Sequence, residues 1–185
     1  MLPEWLAKQH VATIQGKGVT MEKVLNSVLG DTPDGRLDAI KLLQDEHFIF
    51  SVWPFYKSPR RREKLARAGI HEYVDHAGPL MLDSGGFQMV RKSIDLKPED
   101  TLDIYTKANL GRKDLAISLD YCPRPDDPPA TRIEKIRRTN ANYLRMVEQD
   151  KHVLHVVHGW TRKELELSMS VIEGPTSVGN ALEVN

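Results

Sequence analysis

The chain has 185 residues, and its 26 lysine and arginine side chains balance 26 aspartate and glutamate side chains, giving a formal net charge of +0. This length suits one domain or one large piece of a bigger one, and the charge balance excludes a global positive field that would attract nucleic acid. The single cysteine, Cys122, excludes an intrachain disulfide and a cysteine-rich zinc site. Without a long apolar run or a signal-peptide pattern, we expect a soluble, cytoplasmic protein with no membrane partner.

The first 46 residues have helical spacing in patches. Apolar side chains recur at positions 21, 24, 25 and 28 ahead of Gly30, and again at 37, 40 and 43 after a turn cluster at 31–35. The pattern predicts a helical N-terminal segment over 1–46.

Four short apolar runs follow, at 47–53, 79–82, 115–119 and 153–157. Each is nearly continuous, which is typical of strands buried on both faces. A helix-like segment follows each run. The first begins at Ser58 and Pro59 and is expected to end at Gly69, and the second is expected to end at Gly111. The fourth begins with a capping box at Thr161. Four strand–helix units over 47–173 predict an α/β fold with a parallel sheet and right-handed crossovers, and 174–185 reads as a loop-like tail.

Polar residues directly follow three of these strands. Asp83, Asp120 and His158 are about one strand–helix unit apart, so parallel strands bring them to the rim where strand–helix barrels hold their active sites. The alternative is that each aspartate caps the next helix. We consider it weaker because those helices are expected well downstream, near Pro98 and Thr131.

The segment 83–88 reads Asp-Ser-Gly-Gly-Phe-Gln. Two glycines let a ligand approach the backbone, Phe87 offers a stacking face, and Gln88 offers both a donor and an acceptor. An acid, a bare backbone, a ring and an amide within six residues suit a planar heterocycle. The alternative is a tight Gly-Gly turn with Phe87 in the core.

The residues after the other two strands are less specific. Asp120 can accept two N–H bonds from a guanine-like edge, whereas Cys122 fits a small buried apolar side chain. His158 is suited to donating a hydrogen bond or to packing, and Gly159 would let a ligand approach the backbone. The three histidines at 152, 155 and 158 do not share a strand face, so we predict no metal site.

A basic run lies at the start of the first predicted helix. Its members are Lys57, Arg60, Arg61, Arg62, Lys64 and Arg67. Such runs are usually solvated helix faces, but this one is the best candidate for phosphate contact if the substrate is a polynucleotide.

Together, the segments Pro79–Gln88 and Ser118–Pro123 resemble the tRNA-guanine transglycosylase family, which includes queuine and archaeosine tRNA-ribosyltransferases and a DNA-acting branch. The likeness covers about residues 78 to 168. It implies a (β/α)8 TIM-type barrel, of which about four strand–helix units are present. It also implies exchange of guanine for a 7-deazaguanine base in tRNA or DNA.

The resemblance also implies residue roles. Asp83 matches the general acid/base, Asp120 the reader of the base's polar edge, and Phe87 the stacking ring. Further base-pocket positions are Ser84, Gly85, Gly86, Gln88, Cys122 and Gly159. His158 stands where the family usually has glutamine, and the basic residues Arg60, Arg61, Arg62 and Lys64 are the expected nucleic-acid contacts.

Two family features do not occur in this sequence. One is the motif of the nucleophilic aspartate; the other is the zinc site of three cysteines and a histidine, so we expect no cofactor. Because half a barrel exposes strand edges, we expect a further C-terminal segment or a second chain to complete it. The alternatives are an inactive nucleobase- or nucleic-acid-binding remnant of the same fold and, with less support, an unrelated small-molecule barrel enzyme.

Overall fold

The computed structural model describes residues 13–14, 24–26, 47–92, 94–150, 153–172 and 176–178. The strands are β1 (Thr13–Ile14), β2 (Val24–Asn26), β3 (His47–Ser51), β4 (Leu80–Asp83), β5 (Leu115–Ile117), β6 (Val153–Val157) and β7 (Thr176–Val178). The helices are α1 (Trp53–Lys57), α2 (Pro59–Val74), α3 (Gly86–Lys92), α4 (Pro98–Ala108), α5 (Pro129–Val147) and α6 (Arg162–Met169).

The strands form one sheet in the order β1-β7-β6-β5-β4-β3-β2. From β2 to β7 every neighbouring pair is parallel and consecutive in the chain, whereas β1 pairs antiparallel with β7. Helices fill each connection from β3 to β7, which confirms the predicted α/β fold with a parallel sheet. Closure into a (β/α)8 barrel stays a prediction.

Two stretches differ from the predicted secondary structure. Val24–Asn26 is a strand paired with His47–Ile49, so the helical interpretation is wrong there and also at Thr13–Ile14; the rest of 1–46 lies outside the described residues. The predicted loop-like tail contains β7, which pairs with β6. Periodicity alone cannot distinguish a short helical stretch from a strand, because pairing with a neighbouring strand decides the outcome. The domain boundaries stay predictions.

The four predicted strands are present, and the caps at Ser58 and Thr161 are confirmed, the latter as a full capping box. Gly69, with φ of 71°, breaks the helical backbone, but α2 resumes and ends only at Val74. Asn109 in the left-handed region ends α4 two residues before Gly111. The sequence did not predict α1 or α3, and α3 begins at Gly86, three residues after Asp83.

Side chains of the sheet alternate between two apolar layers. Phe48, Phe50, Leu80 and Leu82 pack in the larger cluster with helix residues such as Leu65 and Ile104, which are fully buried. Ile49, Met81, Ile117, Leu154 and Val156 form a second buried cluster on the other face. The sheet is therefore buried on both faces, as the near-continuous apolar runs predicted. None of the helices in the described ranges is both long and apolar enough to cross a membrane.

Candidate functional site

Asp83 is the last residue of β4, and its carboxylate is fixed by local hydrogen bonds. Oδ2 accepts the N–H of Gly85 at 3.1 Å, and the hydroxyl of Ser51, its register partner on β3, also donates to it. The expectation that no helix starts nearby is wrong, because Gly86 opens α3. Asp83 therefore supports the turn into a helix while keeping its carboxylate at the strand end.

The pKa of Asp83 is raised from 3.8 to about 6. Burial is the largest cause and the negative charge of Asp120 adds to it, while the bonds from Ser51 and Gly85 act in the opposite direction. A carboxyl group that titrates near neutral pH can hold a proton and release it during a reaction. This is the property expected of a general acid/base.

Asp120 follows β5, and each of its two carboxylate oxygens has a hydrogen-bond partner. Its Oδ1 accepts the hydroxyl of Ser84 at 3.4 Å, and its Oδ2 lies 2.8 Å from Nε2 of His158. The structure thus brings the ends of β4, β5 and β6 together in one cluster of Asp83, Ser84, Asp120 and His158. This cluster is the candidate site; the individual roles stay predictions.

His158 is buried, with 2 % of its side chain exposed. Its backbone N–H donates to Oγ of Ser168 on α6 at 3.0 Å, and its ring bonds to Asp120. The sequence left two interpretations of His158 open, hydrogen bonding and packing. The structure shows that the side chain does both, since it is buried and bonded to Asp120. His155 belongs to the helix-facing side instead, where its Nε2 lies 3.0 Å from Oδ1 of Asn140, and burial lowers its pKa to about 4.

The three glycines of the candidate site are required for different structural reasons. Gly85 has φ of 82°, which side chains rarely adopt. A Cβ at Gly86 would lie 2.5 Å from the backbone oxygen of Asp120 and closer still to its Oδ1. A Cβ at Gly159 would lie 2.7 Å from the nitrogen of Leu165. At Gly86 and Gly159, the space that a side chain would occupy is thus already filled by protein atoms. The base contacts predicted for these two glycines stay predictions.

The other predicted site residues are placed as follows. Gln88 is half-buried on α3, and Phe87 belongs to the same helix, although its side chain lies outside the described part. Cys122 is half-buried, and its Sγ makes a weak bond with the carbonyl of Pro123 at 3.9 Å. The predicted nucleic-acid contacts are on the first turns of α2, with Arg60, Arg61 and Lys64 exposed and Arg62 half-buried.

Two tyrosines that the sequence did not single out lie next to the candidate site. The hydroxyl of Tyr105 donates to the carbonyls of Leu82 at 3.3 Å and Ile117 at 2.6 Å. Tyr56 has its hydroxyl 2.5 Å from Oγ1 of Thr101. Burial raises the pKa of both phenols, so they stay neutral donors. Tyr105 fixes the spacing of β4 and β5, yet in the sequence it has the helical spacing of an ordinary core residue.

Side-chain contacts also hold the loop after Asp120. Tyr121 donates its hydroxyl to Asp95 at 2.7 Å, and the guanidinium of Arg138 lies 3.8 Å from the centroid of the Tyr121 ring. The indole N–H of Trp160 donates to the carbonyl of Pro123 at 3.0 Å. Within the described residues, no three His, Cys, Asp or Glu side chains are grouped to hold a metal ion.

No family model matches the chain, but curated proteins do. The tRNA-guanine(15) transglycosylase of Thermococcus onnurineus is 29% identical over 106 residues, which are 57% of this chain and 18% of the relative. That of Methanosarcina mazei is 32% identical over 125 residues, covering 65% of this chain and 25% of the relative. The queuine tRNA-ribosyltransferase of Synechococcus sp. is 25% identical, covering 96% of this chain and 50% of the relative.

The chain thus spans from about a fifth to half the length of these relatives. The names of these relatives agree on one class of enzyme, and it is the class that the segments around Asp83 and Asp120 resemble. Taken with the convergence of those two residues at one edge of a parallel sheet, the matches support the similarity of this chain to the tRNA-guanine transglycosylase family.

Proposed function

We propose that this chain binds guanine or a 7-deazaguanine base at the candidate site and takes part in exchanging that base in a polynucleotide. The observation that carries the proposal is the pair of Asp83 and Asp120 at one strand edge, close enough for the charge of Asp120 to add to the burial that raises the pKa of Asp83 to about 6. The relatives' names, which contain tRNA, guanine and queuine, support tRNA as the polymer; DNA is the alternative that the experiment separates.

Asp120 is suited to reading the base. A carboxylate offers about four lone-pair positions, and the bonds from Ser84 and His158 occupy one on each oxygen. The remaining positions match two adjacent N–H donors, as on the Watson–Crick edge of guanine. With 13 % of its side chain exposed, Asp120 is accessible yet protected enough for these charged hydrogen bonds to be strong.

Asp83 is suited to moving the proton. When the bond between the ribose carbon and the base nitrogen breaks, the leaving base takes up the electron pair and needs a proton, which the Asp83 carboxyl supplies. The incoming base returns a proton to Asp83 when the new bond forms. The carboxylate that attacks the ribose carbon comes, on this proposal, from a further segment or a second chain, since the family's nucleophile motif does not occur in this sequence.

The test begins with calorimetric binding of guanine and a 7-deazaguanine to the full chain. Asp120→Asn removes a charged acceptor and is expected to weaken binding about 10- to 100-fold. Asp126→Asn, at an exposed aspartate in the loop after Asp120, is the matched control and should bind as the parent does. If neither base binds, or if Asp120→Asn binds equally well, the proposed base site is wrong.

Exchange is measured separately, as incorporation of labelled guanine into tRNA and into duplex DNA, in the presence of the further segment or second chain that supplies the attacking carboxylate. We expect incorporation to be lost in Asp83→Asn while base binding is retained, because the amide cannot deliver the proton. The preferred polymer is the one that takes up label. Base binding without incorporation into either polymer would instead indicate the nucleobase-binding remnant.

A further inference from the structure

Two lysines share one indole ring beside the candidate site. Trp53 opens α1, with one residue between it and the end of β3, and its ring centroid lies 5.2 Å from Nζ of Lys57 and 5.5 Å from Nζ of Lys92. Lys57 is the last residue of α1 and Lys92 the last of α3, and both are exposed. Two elements that are far apart in sequence thus bring their cations to the same ring.

Trp53 lies against the turn that carries Asp83. A Cβ at Gly85 would lie 3.6 Å from Cβ of Trp53, and the N–H of Val52 donates to the carbonyl of Asp83 at 2.9 Å. The backbone N–H of Trp53 lies 3.4 Å from Oγ of Ser51, the register partner of Asp83. The two ammonium groups therefore lie at the edge of the sheet where the candidate site is.

The indole ring of Trp53 is buried and makes cation–π contacts with both lysines. Trp53 is 5 % exposed, and the face of an indole ring attracts a cation electrostatically. Among the described residues, no carboxylate lies within ion-pair distance of Lys57. The buried Nε1 of Trp53 also has no hydrogen-bond acceptor there. Like charges gathered in this way attract an anion.

We propose that Lys57 and Lys92 bind backbone phosphates of the polynucleotide, next to the nucleotide whose base lies at Asp83 and Asp120. The inference rests on the proposed function, since a nucleotide in a strand carries a phosphate on each side of its base. Lysine ammonium groups contact such phosphates without reading sequence. Lys57 also belongs to the basic run noted in the sequence, whereas Lys92 does not. The nucleic-acid contacts predicted from the sequence, Arg60 to Lys64 on α2, are compared directly below.

The test measures the salt dependence of binding. The full chain is titrated with a fluorescent, guanine-containing single-stranded RNA, and with the DNA of the same sequence, between about 50 and 200 mM NaCl. Lys57→Gln and Lys92→Gln are each expected to reduce the slope of log K against log salt by about 0.7, the value for one phosphate contact on a single strand. Lys57→Arg and Lys92→Arg keep the charge and should keep the slope.

The matched control changes the same charge at the opposite edge of the sheet. Arg112 and Lys113 are exposed and precede β5, so Arg112→Gln and Lys113→Gln should leave the slope unchanged. A third pair, Arg60→Gln and Arg61→Gln, reports on the sequence-predicted contact. An unchanged slope in the Lys57 and Lys92 variants, or a parent chain that binds neither polymer, overturns the proposal.

Calorimetry with free guanine separates this proposal from the proposed function. Guanine that binds while the lysine variants keep the parent slope contradicts only the phosphate site. A reduced slope in a chain that does not bind guanine supports the phosphate site and contradicts the base site.

Discussion

The ring of His158 and the carboxylate of Asp120 are joined by a 2.8 Å contact between the ends of two adjacent parallel strands, β6 and β5. The histidine is almost fully buried and anchored by its own backbone to Ser168. Burial is the largest cause of the raised pKa of Asp83, and the charge of the same Asp120 adds to it. His158 therefore fixes the carboxylate on which both base reading and the protonation of Asp83 depend in the proposed function.

The energetic coupling of His158 and Asp120 can be measured with a double-mutant cycle. His158→Ala leaves a largely buried carboxylate with only the longer bond from Ser84, so we expect it to lower the free energy of unfolding by about 1–3 kcal/mol. Combined with Asp120→Asn, the two changes should be non-additive by about 1 kcal/mol or more, read from urea denaturation at pH 7. Additive effects would show that the contact between His158 and Asp120 does not contribute to the free energy of unfolding.

Gly86 is expected to tolerate no side chain. The Cβ of Gly86→Ala would overlap the backbone and carboxylate of Asp120, so the strand end and α3 must separate. We expect a loss of about 1–3 kcal/mol in unfolding free energy, together with weaker guanine binding. Gly111→Ala is the control, because its Cβ would meet only Oδ2 of Asp114 at 3.3 Å. Equal stability of the two variants would contradict the observed packing.

The raised pKa of Asp83 predicts a specific dependence of stability on pH. Between about pH 4 and pH 6 the folded protein holds a proton that the unfolded chain has already released, so stability falls as pH rises through this window. The fall is at most about 3 kcal/mol, from the shift of 3.8 to about 6. Asp83→Asn cannot ionise and should lose this component, making it the more stable protein at pH 8.

Urea denaturation of the parent, Asp83→Asn and Asp126→Asn at pH 4, 6 and 8 provides the comparison. The exposed Asp126 variant should follow the parent curve. Parallel pH curves for the parent and Asp83→Asn would mean that Asp83 does not titrate in this window.

Glu164 is expected to be the most costly carboxylate to remove from α6. It accepts the N–H groups of Trp160 and Thr161 and pairs with Arg132 at 2.8 Å. Burial favours its neutral form, but these bonds outweigh it and lower its pKa. Its stabilisation is therefore fully present above its ordinary pKa of 4.5 and is lost as pH falls through the lower folded value.

Glu164→Gln should cost about 3 kcal/mol at neutral pH, because it breaks a buried ion pair. Two residues along the same helix, Glu166 forms an exposed pair with Arg162. Glu166→Gln should cost less than about 0.5 kcal/mol. Thermal denaturation at pH 7 gives the comparison, and similar melting temperatures for both variants would contradict the prediction.

Local signals in the sequence were sufficient for the central part of the fold. The apolar runs around Phe50, Leu82 and Val156 predicted buried strands, and Ser58 and Thr161 predicted helix starts, because capping and strand burial depend on nearby residues. The spacing of Asp83, Asp120 and His158 placed them at one edge, since parallel strands share a direction. The motif segments carried the family resemblance.

The sequence did not predict what depends on contacts between distant residues. Val24–Asn26 has helical spacing but pairs with β3, and Gly86 is bare because Asp120 occupies the space of its side chain. The partner of His158 and the lysines over Trp53 also emerged only from the fold. The amino-acid order sets strand direction and helix ends, whereas the distances between side chains on different strands arise only when the sheet packs.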